Sequence, residues 1–117
     1  MKNFKKLKIW QKSMDIVMNV YKLTAKLPDE ERFGLSVQMK RCSVSIPSNI
    51  AEGSAKRSSK EYIKFLEISL GSAYELETQV LITDLLGYGD KELRHLILSD
   101  LDEEQKMLQG FINKVGE

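Results

Sequence analysis

The sequence predicts an all-α protein, an antiparallel up-down-up-down four-helix bundle with a proline inside its second helix. Three observations carry this. Apolar residues recur at steps of three and four through four successive segments, the breakers between segments are short, and no stretch alternates as a strand would. With 117 residues, the chain reads as a single domain over 1–117.

The first helix is expected over residues 5–26. Leu7, Trp10, Met14, Val17 and Tyr21 share one face; Ile9, Ile16, Val20, Leu23 and Leu27 form a second apolar stripe. One stripe suffices for a bundle core. Two leave open a wide core face or burial on two sides, and the latter means self-association.

Leu27-Pro28-Asp29 ends this helix, because the residue before a proline disfavours the α region. Asp29, Glu30 and Glu31 suit the start of the second helix, expected over 32–55. Met39, Cys42, Ile46, Ile50 and Gly53 lie on one of its faces, and Val37, Val44, Ser48, Ala51 and Ala55 on another. Pro47 removes one backbone hydrogen bond and crowds the preceding turn, at a cost of about 3 kcal/mol. Ser43, Ser45 and Ser48 surround it and are expected to compensate the freed backbone groups.

Ser58-Ser59-Lys60-Glu61 has the spacing of a capping box and opens the third helix, which runs to 86. Tyr62, Leu66, Ser69, Ala73, Leu76, Val80 and Thr83 repeat every seven residues and face the core. Gly87-Tyr88-Gly89-Asp90 supplies a glycine stop and an aspartate cap. The fourth helix, over 91–114, is expected to turn Leu93, Ile97, Leu101, Leu108, Phe111 and Val115 inward.

Net charge is +1, unevenly spread. Residues 1–60 hold 13 Lys/Arg against 5 Asp/Glu, a net +8; residues 61–117 hold 5 against 12, a net −7. Such asymmetry fits either a nucleic-acid face or helices that pair their charges within the bundle. Lys56, Arg57 and Lys60 cluster at the turn between the second and third helices. Lys40 and Arg41 lie further up the second helix, and Lys2, Lys5, Lys6, Lys8 and Lys12 near the start of the first. Groups like these can neutralise phosphates with salt-dependent, largely sequence-independent affinity.

No catalytic constellation stands out. Glu52 has no matched nucleophile and reads as part of a polar network, His95 as a solvated side chain on a helix, and the serines as caps. Cys42 and His95 as the only soft ligands make a zinc site implausible, and no cofactor is expected. The basic start lacks a signal peptide's apolar stretch, and no apolar run reaches the roughly 18 residues of a membrane span. A lone cysteine suits a reducing compartment, so the expectation is a cytoplasmic protein that does not associate with membranes.

The segment Ser45-Ile46-Pro47-Ser48-Asn49-Ile50-Ala51-Glu52-Gly53, continued by Ser54-Ala55, resembles the signature of the four-helix-bundle family named after 23S rRNA intervening sequences, also called the S23 family. Trp10-Gln11-Lys12-Ser13, Glu31-Arg32-Phe33-Gly34-Leu35, Gln38-Met39-Lys40-Arg41-Cys42, Glu61-Tyr62-Ile63-Lys64-Phe65-Leu66 and Gly71-Ser72-Ala73-Tyr74-Glu75-Leu76 extend the likeness over nearly the whole chain. The resemblance implies a bundle that assembles into a homo-oligomeric ring of five. The family is similar to accessory proteins of diversity-generating retroelements, which form pentameric barrels and bind nucleic acid through a basic surface. Carried over, Lys8, Lys12, Lys40, Arg41, Lys56, Arg57 and Lys60 become the candidates for RNA or DNA contact. The function expected is a non-enzymatic, oligomeric protein that binds structured RNA, rRNA included. The alternative is an oligomeric scaffold for a protein partner such as a polymerase-type enzyme.

Overall fold

A computed structural model describes residues 3–117; Met1 and Lys2 lie outside the described residues. The described chain forms α1 (Lys8–Thr24), α2 (Leu35–Ser54), α3 (Ser59–Leu86) and α4 (Lys91–Val115), with 3-10 turns at Phe4–Lys6 and Asp29–Glu31. No strand occurs among the described residues. The long dimension is 44 Å, set by α3, whose 28 residues span about 42 Å at 1.5 Å each.

Two helices start later than their sequence suggests. Asn3 accepts a hydrogen bond from the Lys5 amide, which closes the first 3-10 turn. Leu7 is then extended, at φ −74° and ψ 130°, so α1 begins at Lys8. The acidic run Asp29–Glu31 makes a 3-10 turn behind Pro28 rather than the first turn of α2. Gly34, at φ −112° and ψ −108°, separates the two. Glu31 reaches forward instead, and its carboxylate accepts from the Leu35 amide at 3.3 Å.

The α2–α3 and α3–α4 connections follow their sequence signals. The Ser58 hydroxyl caps α3 by accepting from the Glu61 amide at 3.1 Å. Gly87 is left-handed at φ 70°, and the Tyr88 amide donates back to the Thr83 carbonyl, a glycine-terminated helix end. Gly89 is also left-handed, at φ 71°, and lies against Leu23, where an added Cβ would come within 2.7 Å of a methyl group. Asp90 caps α4 through the Glu92 amide. Arg94, nearly buried, donates to Asp84 at 2.7 Å and to the carbonyls of Tyr88 and Gly89, fastening the turn from inside.

Cross-helix contacts run in opposite order along neighbours. Met39, Ile46 and Gly53 of α2 meet Thr83, Ser69 and Phe65 of α3. Glu77 and Asp84 of α3 meet Gln105 and Arg94 of α4. Lys12 of α1 meets Asp100 and Glu103 of α4, while Leu23 lies against the turn before it. Tyr21 of α1 lies under Lys40 of α2, with Met14 and Trp10 nearer its far end beside Pro47 and Ala51. Adjacent helices are therefore antiparallel.

The core takes one of the two stripes of α1: Ile9, Ile16, Val20, Leu23 and Leu27 are buried, together with Ser13 and Thr24. The other stripe stays at the surface, with Trp10 and Val17 half-buried and Met14 and Tyr21 exposed. Every position of the α3 heptad stripe is buried. In α4, Ile97, Leu101 and Leu108 are buried as expected and Leu93, Phe111 and Val115 partly so. Ile112, Arg94, Glu104 and Gln105 are also buried, none of them anticipated.

Pro47 lies inside α2. The surrounding hydroxyls do not act as the sequence suggests. Ser43 donates to the Lys40 carbonyl, Ser45 pairs with Ser72 of α3 at 2.8 Å, and the Asn49 amide donates to the Ser45 carbonyl. Ser69 crosses from α3 to the Ile46 carbonyl at 2.9 Å. These polar side chains join helices more than they repair the proline break.

Candidate nucleic-acid interface

Antiparallel order brings the start of α1, the end of α2, the start of α3 and the end of α4 to one end of the bundle. Lys8, Lys56, Arg57 and Lys60 meet there, joined by Lys5 and Lys6 of the 3-10 turn, Lys64 of α3 and Lys114 of α4. All are exposed except Lys56, which is half-buried with its ammonium 4.9 Å from the centre of the Phe65 ring. The ring face attracts the cation and fixes its position. Among the described residues none of these groups forms an ion pair within the chain. Helix dipoles alternate in sign at this end, so its positive potential comes from side chains. A recess of about 660 Å³, lined by Ser59, Lys60, Glu61, Ile63, Lys64, Glu67 and Gly116, opens beside them, so two carboxylates share it with the two lysines.

The remaining predicted contacts lie elsewhere. Lys12 is bound to Asp100 at 3.3 Å and Glu103 at 3.2 Å on α4. Burial lowers its pKa, but the hydrogen bonds to Glu103 and Asp100 outweigh that and hold it above the ordinary lysine value. A phosphate would have to displace two carboxylates already in place. Lys40 and Arg41 precede Lys56 by some 15 residues of helix, about 23 Å along the axis. They also diverge, Lys40 lying 5.4 Å from the Tyr21 ring on the α1 side and Arg41 lining a recess with Ser72 and Glu75 on the α3 side. Sequence grouping missed Lys64, one turn beyond Lys60 on α3, and Lys114, which lies some fifty residues further on. Their signal was positional, since each sits in the terminal turns that antiparallel packing collects.

The signature residues build the α2–α3 seam. Ile46 and Ile50 are fully buried, and Gly53 packs so closely that an added Cβ would lie 2.8 Å from Cβ of Phe65 and 3.1 Å from the Tyr62 ring. Ser45 and Asn49 lie on the α3 side, Ser48 and Ala51 border an outward groove with Pro47, and Glu52 is exposed. Nearby, Cys42 donates its thiol to the Ser72 carbonyl at 3.1 Å. Burial, with Glu75 beside it, pushes that thiol up to about 12, so it stays protonated and unreactive.

The family model for the 23S rRNA-intervening sequence protein matches residues 5–110, spanning all four helices. The chain belongs to the 23S rRNA-intervening sequence protein family. A crystal structure of a protein of unknown function from the S23 ribosomal protein family of Bacteroides thetaiotaomicron VPI-5482 is similar at 28% identity and a TM-score of 0.81. The likeness covers 90% of this chain and 95% of that one. No curated protein matches the sequence. In this chain the seam signature is thus a packing motif, and the basic end is a separate feature. No described helix is long and apolar enough to cross a membrane.

Proposed function

We propose that the protein is a non-enzymatic, self-associating nucleic-acid-binding bundle of the cytoplasm that holds structured RNA against its basic end. The observation that carries this reading is the gathering of Lys5, Lys6, Lys8, Lys56, Arg57, Lys60, Lys64 and Lys114 at one end without internal ion pairs. Unpaired surface cations have displaceable counterions, and phosphate binding releases them. Lys12, Lys40 and Arg41, in the same protein, serve the bundle or its flanks instead. The second apolar stripe of α1 supports self-association, and the family resemblance points to five copies. In a ring with parallel bundles, the basic ends would form a belt, and repetition would raise avidity beyond that of one patch.

The test is fluorescence anisotropy with a labelled RNA hairpin across a salt series, alongside light-scattering mass. Reversing Lys56, Arg57 and Lys60 together to Glu should weaken binding at least tenfold at low salt. It should also flatten the salt slope by about 2 to 3 in log–log terms. Undiminished affinity would remove this end as the site. A discrete oligomer that ignores RNA at every salt concentration would favour the scaffold for a protein partner.

A further inference from the structure

Almost every buried hydroxyl in this bundle is hydrogen-bonded. Ser13, Thr24, Ser43, Ser54, Ser69 and Thr83 each donate to a backbone carbonyl. Ser36 is the exception. It is only 5% exposed, yet its hydroxyl has no hydrogen-bond partner among the described residues. Leaving a buried hydroxyl unbonded is costly, and native structures seldom do it without a reason. Nor is this hydroxyl sealed in the core, because Ser36 lines an open recess of about 340 Å³.

The recess lies where the end of α1 meets the start of α2, at the far end of the bundle from Lys56. Some 20 residues separate Ser36 from Lys56, about 30 Å along the axis. The other polar residues lining the recess are Thr24, Asp29, Arg32 and Lys40. Ser36 and Lys40 are one turn apart and share a face of α2. Arg32 closes the 3-10 turn behind Pro28, its amide donating to the Asp29 carbonyl. Neither Arg32 nor Lys40 forms an ion pair among the described residues. Each lies over an aromatic ring instead, Arg32 at 5.7 Å from the centre of Phe33 and Lys40 at 5.4 Å from that of Tyr21. Thr24 has its proton committed to the Tyr21 carbonyl. The recess therefore sets two cations and one available hydroxyl against the single carboxylate of Asp29. The Ser36 and Val37 amides, in the first turn of α2, also have no acceptor among the described residues, since Glu31 takes only that of Leu35.

We propose that this recess binds the phosphate of a small phosphorylated molecule, held by the Arg32 guanidinium, the Lys40 ammonium and the Ser36 hydroxyl. All three are donors. The guanidinium supplies a planar fork that matches two phosphate oxygens, the ammonium a point charge, and the hydroxyl a short directional bond. The start of α2 adds a favourable dipole. Asp29 opposes the anion and limits its affinity. A volume of about 340 Å³ falls at the lower end of the range for small-ligand pockets, about 300–1,000 Å³, and exceeds what a phosphate alone needs. The rest of the ligand would lie along Ala25, Leu27 and Pro28. The site shares no residue with the basic end and does not depend on RNA binding there.

Calorimetric titration of the full chain at constant ionic strength tests it, with the amide NMR shifts of Ser36 and Val37 as a local readout. Inorganic phosphate and glycerol 3-phosphate are the probes, and acetate is the reference anion. Both phosphates should bind saturably and move the two amides, and acetate should bind far more weakly. Arg32→Gln and Lys40→Gln should each weaken phosphate binding about tenfold or more, and Ser36→Ala about three- to tenfold. Asp29→Asn should tighten it about threefold by removing a like charge. Ser36→Ala should leave the urea midpoint of the ligand-free chain unchanged, because no bond within the chain is lost. Reversing Lys56, Arg57 and Lys60 to Glu should leave phosphate affinity unchanged. The proposal is overturned by any of four results: no saturable binding, equal affinity for acetate, undiminished binding in Arg32→Gln and Lys40→Gln, or a destabilised ligand-free Ser36→Ala. A fifth arm identifies the source of the phosphate. If a 5′-phosphorylated RNA hairpin binds more tightly than its 5′-hydroxyl counterpart, and Arg32→Gln abolishes the gain, the phosphate belongs to an RNA end and the small-molecule assignment falls.

Discussion

The seam between α2 and α3 and the seam between α1 and α4 solve the same packing problem with different chemistry. The first is built from small and hydroxyl-bearing residues. Gly53 lets the backbones approach, and Ser45, Ser69, Ser72 and Cys42 make short polar contacts across the gap. The second is built around charge. Lys12 bridges to Asp100 and Glu103, and beneath them Glu104 is completely buried, with neither carboxylate oxygen hydrogen-bonded among the described residues. Burial raises the Glu104 pKa to about 8, against the attraction of Lys12 and with repulsion from Glu103 adding to it. Close packing tolerates almost no change of volume, whereas a charged seam tolerates volume but responds to pH.

Three experiments can break or sharpen this contrast. The largest effect should come from Gly53→Val, which forces bulk into the space held by Phe65 and Tyr62. A loss of about 3 kcal/mol is expected from overpacking, read as a lower urea midpoint. An unchanged midpoint would mean that the α2–α3 seam is not tight.

Next comes pH. The folded-state pKa of Glu104 lies above its unfolded value, so the native state holds the extra proton. Its contribution is therefore greatest below the unfolded pKa and is lost as pH rises through about 8. Between pH 6 and 9 the wild type should lose about 2 to 3 kcal/mol more than Glu104→Gln, which cannot titrate. Parallel stability profiles for the two proteins would remove Glu104 as the titrating group.

The smallest of the three is Ser69→Ala, which deletes the buried bond to the Ile46 carbonyl. It should cost about 1 kcal/mol with little dependence on pH. A pH-sensitive loss there would blur the distinction between the seams.

The fold was legible because its signals are local. The Ser58 cap of α3, the glycines at 87 and 89 and the heptad stripe of α3 are each written within a few turns of chain, and each is realised. Family membership was legible for the same reason, in the contiguous signature from Ser45 to Gly53. The two stripes of α1 were equally apolar, and only packing in the assembled bundle selects the one with Ile16 and Val20. Periodicity assigns polar residues to the outside, so Arg94 and Glu104 escaped it: one is satisfied by backbone carbonyls across a turn, the other neutralised by burial. The candidate site was half legible. Lys56, Arg57 and Lys60 are neighbours in sequence and at the bundle's end, but Lys12 is claimed by carboxylates nearly ninety residues away.

The guanidinium of Arg94 has a consequence for how the chain yields to a protease. Trypsin needs a basic residue on a stretch of backbone that can be drawn out into its cleft. Arg94 is withdrawn into the bundle, with its donors engaged by the turn it would have to abandon. Arg32, followed by the almost fully exposed Phe33, and Arg57 both occupy connections where little must be undone. The first nicks should therefore fall on either side of α2 and leave α3 and α4 joined as the resistant fragment.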